Sequence, residues 1–249
     1  MTNIYCIKEK ARKEAFGSIW DNDINEVFSD VADYYDRINN FASLGMLERW
    51  RQNFISTIET RPNDKVLDVC AGTNVIGIDL LKRQPDLDVY AIDRSAAMQE
   101  VGRERAQRHG FTINGVISDV HKLPYPDNHF DVVTLQYATR HLRVMEVFSE
   151  INRVLKPGGH FYHCDMLRPS NKIVAEAYYA YLRACLSFLS WTFRSGQAAV
   201  QCQDYFINAI RMFYSTDELS RLLSELGYSN IVGKSVMGGA VAFHQACKP

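Results

Sequence analysis

One segment, Lys65–Gly77 with the sequence KVLDVCAGTNVIG, has the pattern of a buried strand, a tight turn and the start of a helix. Its valine and leucine residues form the short apolar run that is typical of a strand in a parallel sheet. Asp68 lies at the carboxyl end of this strand, and Ala71-Gly72-Thr73-Asn74 form the turn into a helix predicted over Val75–Arg83. In open α/β sheets, ligands bind outside the carboxyl ends of the strands, against this first turn. The segment therefore predicts a ligand site at the turn.

An acidic residue ends the next predicted strand, Val89–Ile92. This residue, Asp93, follows Gly72 by about 20 positions, where a carboxylate accepts hydrogen bonds from both ribose hydroxyls of a nucleotide-like cofactor. The turn has neither a G-x-G-x-x-G fingerprint nor a Gly-Lys-Ser/Thr phosphate loop. Asp68 would repel a pyrophosphate but could pair with an ammonium group. These features favour S-adenosylmethionine (SAM), which has an amino-acid end, a sulfonium and a ribose but no phosphate. The alternative is an ordinary strand–helix turn with Asp93 placed by chance.

The composition narrows the class of protein. The chain has 249 residues, of which 47% are hydrophobic and 23% charged, as in a soluble globular protein. Its net charge of -1 gives no electrostatic reason to expect a nucleic-acid partner. The six cysteines are scattered without a C-x-x-C pair, which favours reduced cytosolic thiols over disulfides or a zinc site. The first residues lack the apolar segment of a secretory signal. We therefore expect a cytoplasmic protein, and a peripheral membrane contact is left open.

Metal binding is not expected from the pattern of histidines. His160 and His163 lie close together, but residues three apart on a strand point to opposite faces.

Strands and helices alternate along the central part of the chain, which predicts a doubly wound, Rossmann-like, mostly parallel sheet. Two closing strands near the carboxyl end are expected to be antiparallel at the sheet edge, which makes seven strands in all. The strands after Val89–Ile92 are predicted at Ile113–Ile117, Phe130–Leu135, His160–Asp165, Ile231–Val236 and Ala240–Ala246.

Capping residues predict where several helices begin and end. Ser95 is expected to cap a helix that runs to about Arg108 and ends at Gly110. Ser215 and Glu218 form a capping box for a helix over Ser215–Leu226 that ends at Gly227. A helix over Met145–Leu155 is expected to end at Lys156-Pro157-Gly158-Gly159, with Gly158 as its C-terminal cap.

Four segments outside the alternating pattern are predicted to be helical, and one of them is Leu44–Ile58. Lys8–Glu14 is a charged run expected to face solvent, and Val27–Ile38 has apolar residues at helical spacing. Tyr34 and Tyr35 in this region, and Asn39 just after it, can offer polar groups to a ligand. Ile173–Phe193 is long and aromatic, but Glu176 and Arg183 interrupt it, so we expect a lid or wall helix rather than a membrane span.

Several motifs together resemble class I SAM-dependent methyltransferases, namely Asp68…Gly72, Asp93, Asp119, LPYPDNHFDVV at 123–133 and RVLKPGGHF at 153–161. More narrowly, the chain is similar to the UbiE-like ubiquinone/menaquinone biosynthesis C-methyltransferases. This narrower similarity lies in VFSDVADYYDRINNFASLGMLERWR at 27–51, YFINAIRMF at 205–213 and GGAVAFHQACK at 238–248, so it covers about 27–248. The RVLKPGG block alone is shared by many methyltransferases, whereas the Tyr-Asp-x-x-Asn stretch is more specific.

The resemblance implies methyl transfer from SAM to a ring carbon of a prenylated benzoquinol or naphthoquinol. It also implies that residues 1–60 are helices covering the active site, and that 61–249 form the methyltransferase domain with a helical lid at about 170–214. Homodimer formation is left open. The cofactor contacts expected are Asp68, Gly72, Thr73, Asn74, Asp93, Arg94, Asp119 and Val120. The acceptor contacts expected are Tyr34, Asn39, Tyr137, Tyr205 and Arg211.

The family carries an Arg-Asn pair near the reacting ring, and the matching positions here are Arg140 and His141. Other departures are Cys70 and Asn74 in the glycine-rich turn, and Tyr214 in place of a usual proline. Asn tolerates a positive φ better than most residues, so the turn can persist. The departures are consistent with a relative that acts on a different aromatic acceptor.

Two roles are open for each residue of the pair. His141, with an ordinary pKa near 6.5, could take the hydroxyl proton of the acceptor, or it could be a surface-loop residue that caps a helix. Arg140 could stabilise a phenolate or form a structural ion pair. Two other functions are also open: a SAM-binding protein without methyl transfer, and a membrane-peripheral component of a quinone-synthesis complex.

Overall fold

The computed structural model describes residues 3–32, 39–40, 43, 45–193 and 203–249. Within these residues, seven strands form one sheet. The strands are β1 (Lys65–Val69), β2 (Asp88–Asp93), β3 (Asn114–Ile117), β4 (Phe130–Gln136), β5 (Leu155–Met166), β6 (Ser229–Val236) and β7 (Val241–Cys247). Their order is β3-β2-β1-β4-β5-β7-β6. Only the β5–β7 and β6–β7 pairs are antiparallel. The predicted doubly wound sheet with antiparallel closing strands is confirmed.

Nine α-helices lie in the described part of the chain. They are α1 (Asn3–Ser18), α2 (Ile24–Val31), α3 (Met46–Thr57), α4 (Val75–Arg83), α5 (Ala96–Arg108), α6 (Val144–Val154), α7 (Lys172–Phe193), α8 (Gln203–Arg211) and α9 (Thr216–Glu225). A π-helical turn, Ile19–Asp23, joins α1 to α2. Both predicted N-terminal caps are confirmed: the Ser95 side chain accepts from the Met98 amide, and Ser215 and Glu218 form a capping box.

The sheet buries apolar side chains on both faces. One face packs against α6 and α9 through residues such as Phe148 and Leu222, and the other packs against α3 and α4 through Phe54 and Leu80. The register sets Asp68 beside Thr134 on the neighbouring strand. Because β1 and β4 are parallel and adjacent, the residues that follow them are brought to the same edge of the sheet.

Two local predictions were wrong. Gly158 does not cap a helix, because α6 ends at Val154 and β5 begins at Leu155. Gly158 has a φ of 78° and donates its amide to the carbonyl of Lys248, 2.8 Å away, so this turn holds the last residues of the chain. The charged run at 8–14 is not a fully solvated face either, because Arg12 within α1 is completely buried.

No helix in the described ranges is long and apolar enough to span a membrane.

Candidate active site

The turn after β1 holds three residues in the left-handed backbone region. Cys70, Gly72 and Asn74 have φ values of 55°, 52° and 57°. The glycine-like conformation predicted for Asn74 is therefore present. Gln99 of α5 supports the turn, because its amide group donates to the Gly72 carbonyl and to Asn74 Oδ1, each at 3.1 Å. A Cβ atom on Gly72 would meet no atom within 4 Å, so the turn faces open space.

Asp93 lies beside this turn at the end of β2. Its Oδ2 accepts from the Gly72 amide at 2.8 Å and its Oδ1 accepts from the Ser95 amide at 2.9 Å. Burial raises the pKa of Asp93, although these backbone hydrogen bonds and Arg94 oppose the rise. Each carboxylate oxygen keeps a second lone pair. Asp93 can therefore hold the turn and accept ligand hydroxyls at the same time.

Asp68 is the other buried carboxyl group at the turn. It is 2% exposed, and Thr134 Oγ1 donates to its Oδ1 at 2.7 Å. Burial raises its pKa to about 7, with a smaller contribution from the nearby charge of Asp93 and opposition from the Thr134 hydrogen bond. A cationic group placed beside Asp68 would restore its ionised form. An anion at this position disfavours phosphate and suits an ammonium group.

A cavity of about 300 Å³ opens above the turn and extends past the end of β4. Most residues expected at the site line it. On the cofactor side these are Asp68, Gly72, Thr73, Asp93, Arg94, Asp119 and Val120. On the acceptor side they are Asn39, Tyr137, Arg140 and His141. The open space over Gly72, the lone pairs of Asp93 and the acidic Asp68 fit the ribose and ammonium of SAM.

Arg94 and Asp119 are engaged by neighbouring groups within this lining. Arg94 Nη1 donates to the Trp20 carbonyl at 2.6 Å, which ties the cofactor side to the N-terminal helices. Asp119 Oδ1 accepts from the backbone amide of His121 at 2.9 Å and contacts its ring nitrogen at 2.5 Å.

Arg140 lies in a single 3₁₀ turn, Thr139–His141, that follows β4. Its Nη1 donates to the Tyr137 carbonyl at 2.8 Å and to Asp165 Oδ1 at 2.6 Å. Asp165 is fully buried, and its other oxygen accepts from the Thr139 amide at 2.7 Å. Arg140 therefore forms a structural ion pair and also lines the cavity, so both roles considered for it are compatible with its position.

His141 is buried, with 5% of its surface exposed, so it is not a surface-loop residue. Its Nδ1 lies 2.5 Å from the Tyr205 hydroxyl. Phe28 and Phe206 meet the ring edge-on, with centroids 5.8 and 5.6 Å away. Burial, followed by the charges of Arg140 and Arg12, lowers the pKa of His141 well below its ordinary value. The expected role as a base that ionises near neutral pH is therefore disfavoured, because this environment opposes a protonated ring.

Arg12 is a site-supporting residue that the sequence did not indicate. Its Nη2 donates to the carbonyls of Arg140 and Leu142, at 3.0 and 3.2 Å, and its Nη1 pairs with Glu9. Glu9 in turn accepts from the Val144 amide at 2.8 Å. The only signal was a charged pair three residues apart on a helix, which is more typical of a solvated surface.

Tyr214, the departure from the family's proline, joins the same cluster. Its hydroxyl donates to Glu9 Oε1 at 2.9 Å. The departure thus supplies a hydrogen bond between α1 and the segment that precedes α9.

Three of the expected contact residues that the structure describes lie outside the cavity lining. Asn74 is beneath the turn and Tyr205 is behind His141, so among the described residues neither belongs to the cavity lining. Arg211 is also outside that lining: it pairs with Glu176 at 3.4 Å and lies 4.7 Å from the ring centre of Tyr179. Both partners belong to α7, so Arg211 contacts this helix, and its role toward the acceptor stays a prediction. Tyr34 lies outside the described residues.

Other lining residues come from helices that motifs could not assign to a site. Trp20, Ile24 and Phe28 line the cavity from the N-terminal side, and Tyr178, Tyr181 and Leu182 line it from α7. Tyr178 lies three and four positions before Tyr181 and Leu182, and this spacing in the sequence indicates that the three side chains share one face of the helix.

In the described part of the chain, no group of three or more His, Cys, Asp or Glu residues is placed to hold a metal ion.

The sheet order, the turn after β1 and the acidic end of β2 define a class I SAM-dependent methyltransferase. Solved structures share this fold. The methyltransferase bound to the Trm112 activator of Haloferax volcanii has a TM-score of 0.63 at 16% identity, over 89% of this chain and 97% of that chain. The possible histamine N-methyltransferase of Thermotoga maritima has a TM-score of 0.61 at 16% identity, over 90% and 99%.

The model of the ubiE/COQ5 methyltransferase family matches residues 17–248, and the chain belongs to this family. It is 32% identical to the demethylmenaquinone methyltransferase of Symbiobacterium thermophilum over 231 residues, 90% of this chain and 92% of that protein. It is also 32% identical to the ubiquinone/menaquinone biosynthesis C-methyltransferase UbiE of Pseudomonas savastanoi pv. phaseolicola over 234 residues, 91% and 89%. The chain is therefore a SAM-dependent methyltransferase.

Proposed function

We propose that this enzyme transfers a methyl group from SAM to a ring carbon of a prenylated benzoquinol or naphthoquinol. The observation that carries the proposal is the cavity itself. It extends from the cofactor turn past Arg140 and His141 to a wall that includes Met166, Tyr178 and Leu182. Such a wall suits an aromatic ring with an apolar tail. The relatives that match over nine-tenths of the chain are named for menaquinone and ubiquinone biosynthesis.

The residues on the cofactor side would position the donor. SAM, when bound, supplies an electrophilic methyl group on a sulfonium. Asp93 would accept the ribose hydroxyls, ionised Asp68 would pair with the ammonium, and the absence of a side chain on Gly72 leaves room for close approach. Holding both reactants in one orientation lowers the entropic part of the barrier.

The residues on the acceptor side would prepare the ring. A quinol carbon is a better nucleophile when a neighbouring hydroxyl has lost its proton. The Arg140 guanidinium lines the cavity and would stabilise the resulting phenolate. After the new carbon–carbon bond forms, the proton on that ring carbon is lost to water and the ring regains its aromaticity. The apolar wall would keep water away from the sulfonium.

Two helical regions would enclose the reaction. The N-terminal helices contribute Trp20, Ile24 and Phe28 to the cavity, and α7 contributes Tyr178 and Tyr181. These contacts support the assignment of residues 1–60 as a cover and of about 170–214 as a lid on the methyltransferase domain at 61–249.

A peripheral membrane contact would follow from a prenylated acceptor, because such a molecule resides in a lipid bilayer. Ile173, at the start of α7, is 82% exposed. Met237 is 46% exposed and also lines the cavity. These exposed apolar side chains support the contact, and flotation with phospholipid vesicles would measure it. Homodimer formation stays a prediction that sedimentation analysis would test.

The test is methyl transfer by the purified protein to reduced quinols whose prenyl tails differ in length. Each buried CH₂ contributes about 0.8 kcal/mol, so turnover at low acceptor concentration should fall about fourfold for each CH₂ removed. Mass spectrometry would measure S-adenosylhomocysteine and the methylated quinol, and NMR of the product would distinguish a new C-methyl from an O-methyl group. Equal efficiency on tail-less phenols would contradict the prenylated acceptor and indicate a small aromatic one. In cells lacking the gene, the unmethylated quinone precursor should accumulate in the lipid extract.

A further inference from the structure

A hydrogen-bonded chain of three side chains from distant segments ends at the acceptor side of the cavity. Trp20 Nε1 donates to the Tyr205 hydroxyl at 2.9 Å, and that hydroxyl lies 2.5 Å from His141 Nδ1. Trp20 and Tyr205 are each only 4% exposed. These hydrogen bonds connect the π-helical turn, α8 and the turn after β4 through buried groups.

The direction in which these hydrogen bonds donate follows from the chemistry of Trp20. An indole nitrogen can only donate, so Trp20 occupies a lone pair of the Tyr205 oxygen. If the phenol then donates its proton to His141 Nδ1, the Tyr205 hydroxyl accepts one hydrogen bond and donates the other, so the two bonds polarise each other favourably. In the reverse arrangement, Trp20 and His141 would both donate to the same oxygen, so the two hydrogen bonds would weaken each other instead. The first arrangement leaves the proton of the imidazole on Nε2.

The Nε2 atom is the other end of this hydrogen-bonded series, on the far side of the imidazole ring from Tyr205. Within the described residues it is buried and has no hydrogen-bond partner, and His141 lines the cavity. A buried polar atom without a partner is costly unless a ligand satisfies it. The charged groups that act on this ring are Arg140 of its own turn and Arg12 of α1, both cationic, which disfavour protonation of the ring.

We propose that Trp20 and Tyr205 hold His141 as its neutral Nε2–H tautomer, and that this N–H donates to an oxygen of the acceptor ring. The contact with the acceptor rests on the function proposed above, whereas the tautomer does not. His141 is then a donor that stabilises negative charge on the oxygen beside the reacting carbon, and the hydroxyl proton leaves to water. Trp20 and Tyr205 are positioning residues.

Nitrogen NMR on protein labelled at histidine tests the tautomer without any substrate. The His141 signals are assigned by their loss in His141→Phe, a variant whose ring suits the neighbouring Phe28 and Phe206. We expect the Nε2–H pattern from pH 6 to pH 8, and its replacement by a mixture of tautomers in Tyr205→Phe. An Nδ1–H pattern in the wild type, or protonation of His141 within this pH range, would overturn the proposal.

Kinetics test the contact with the acceptor oxygen. His141→Phe lacks a donor and should lower kcat/KM for the quinol by about 10²–10³-fold, the range seen when a donor to a developing oxyanion is removed. His141→Asn restores an N–H and should regain at least tenfold over the Phe variant, with SAM affinity the same in both. Equal activity of the Phe variant and the wild type would refute the contact, even if the tautomer is correct. Absence of transfer to any quinol by the wild type would refute the proposed function and leave the NMR result standing.

Discussion

The two halves of the cavity are built in different ways. On the cofactor side, the turn after β1 is held by the next strand–helix unit, through Asp93 and Gln99. On the acceptor side, the carbonyl of Arg140 accepts from Arg12, 128 positions away, and His141 contacts Tyr205, 64 positions away. Neighbouring strand–helix units therefore form the proposed cofactor site, whereas the proposed acceptor site depends on contacts between segments far apart in the sequence. Substitutions in one half should leave the other half largely unaffected.

The largest difference between the effects on the two halves of the cavity is expected for Asp93→Ala. The variant loses hydrogen bonds from the carboxylate to the two ribose hydroxyls, each contributing about 1.5–3 kcal/mol, so SAM affinity should fall by about 10²–10⁴-fold. Calorimetry with SAM measures this loss. The matched control is Asp88→Asn at the opposite end of β2, where the carboxylate accepts from the side chains of Tyr90 and Asn114. Unchanged SAM affinity in Asp93→Ala would remove Asp93 from the cofactor site.

Arg12→Met should have the converse effect, which is a loss on the acceptor side with little change on the cofactor side. It removes a fully buried guanidinium that pairs with Glu9 and satisfies two carbonyls of the acceptor turn. Breaking a buried pair on one side costs about 3–5 kcal/mol of unfolding free energy, measured by denaturant titration. Quinol methylation should fall while SAM affinity changes by no more than about threefold, a change of less than 1 kcal/mol.

Lys10→Met is the control on the same helix. Lys10 pairs with Glu14 at 3.9 Å, and both side chains are more than two-thirds exposed, at 78% and 68%. Such a surface pair contributes about 0–1 kcal/mol. If Arg12→Met weakened SAM binding as much as quinol methylation, the proposed independence of the two halves would be wrong.

A smaller effect is expected from the ionisation of Asp68. Its pKa in the folded protein is raised to about 7, whereas an unfolded chain has a value near 3.9. The folded state therefore keeps the proton to higher pH, so this group's contribution to stability falls between about pH 4 and pH 7 and is constant above that. SAM binding favours the ionised form, so affinity should rise up to tenfold per pH unit toward pH 7 and then level off.

Asp68→Asn tests whether Asp68 causes these two pH dependences, because the amide has the same shape and does not titrate. The pH dependence of stability and the pH dependence of SAM affinity should both lose the part that is due to Asp68. Thermal unfolding and SAM titration from pH 5.5 to pH 8.5 measure the two. An identical pH dependence in the variant and the wild type would assign this dependence to another group.

The smallest effect is expected at Asn74. A β-branched residue at its φ of 57° costs about 1–2 kcal/mol, so Asn74→Val should weaken SAM binding about tenfold. Asn74→Gly removes the contact with Gln99 but adopts this φ without strain, so its affinity should stay close to that of the wild type. Equal affinities in the Val and Gly variants would show that the turn conformation does not control SAM binding.

Patterns within short segments predicted most of the sheet and half of the site. The β1 turn, Asp93 and the Ser215 capping box follow from residue types at fixed spacings, because each depends on backbone geometry within one strand–helix unit. Predictions failed where a residue's role depends on a remote partner. Gly158 has the signature of a helix cap, yet the end of the chain docks on it. The run at 8–14 has the pattern of a solvated face, yet Arg12 within it is buried and donates to the carbonyl of Arg140.

By itself, the sequence determined the class of fold, the place of the cofactor turn and the residues at its rim, because strand periodicity and turn chemistry are local. The tertiary structure alone decided the environment of His141. Its burial, its contact with Tyr205 and the cations around it depend on segments 64 and more than 100 positions away. An imidazole's protonation state depends on neighbouring charge and on access to water, and neither is a property of the adjacent residues.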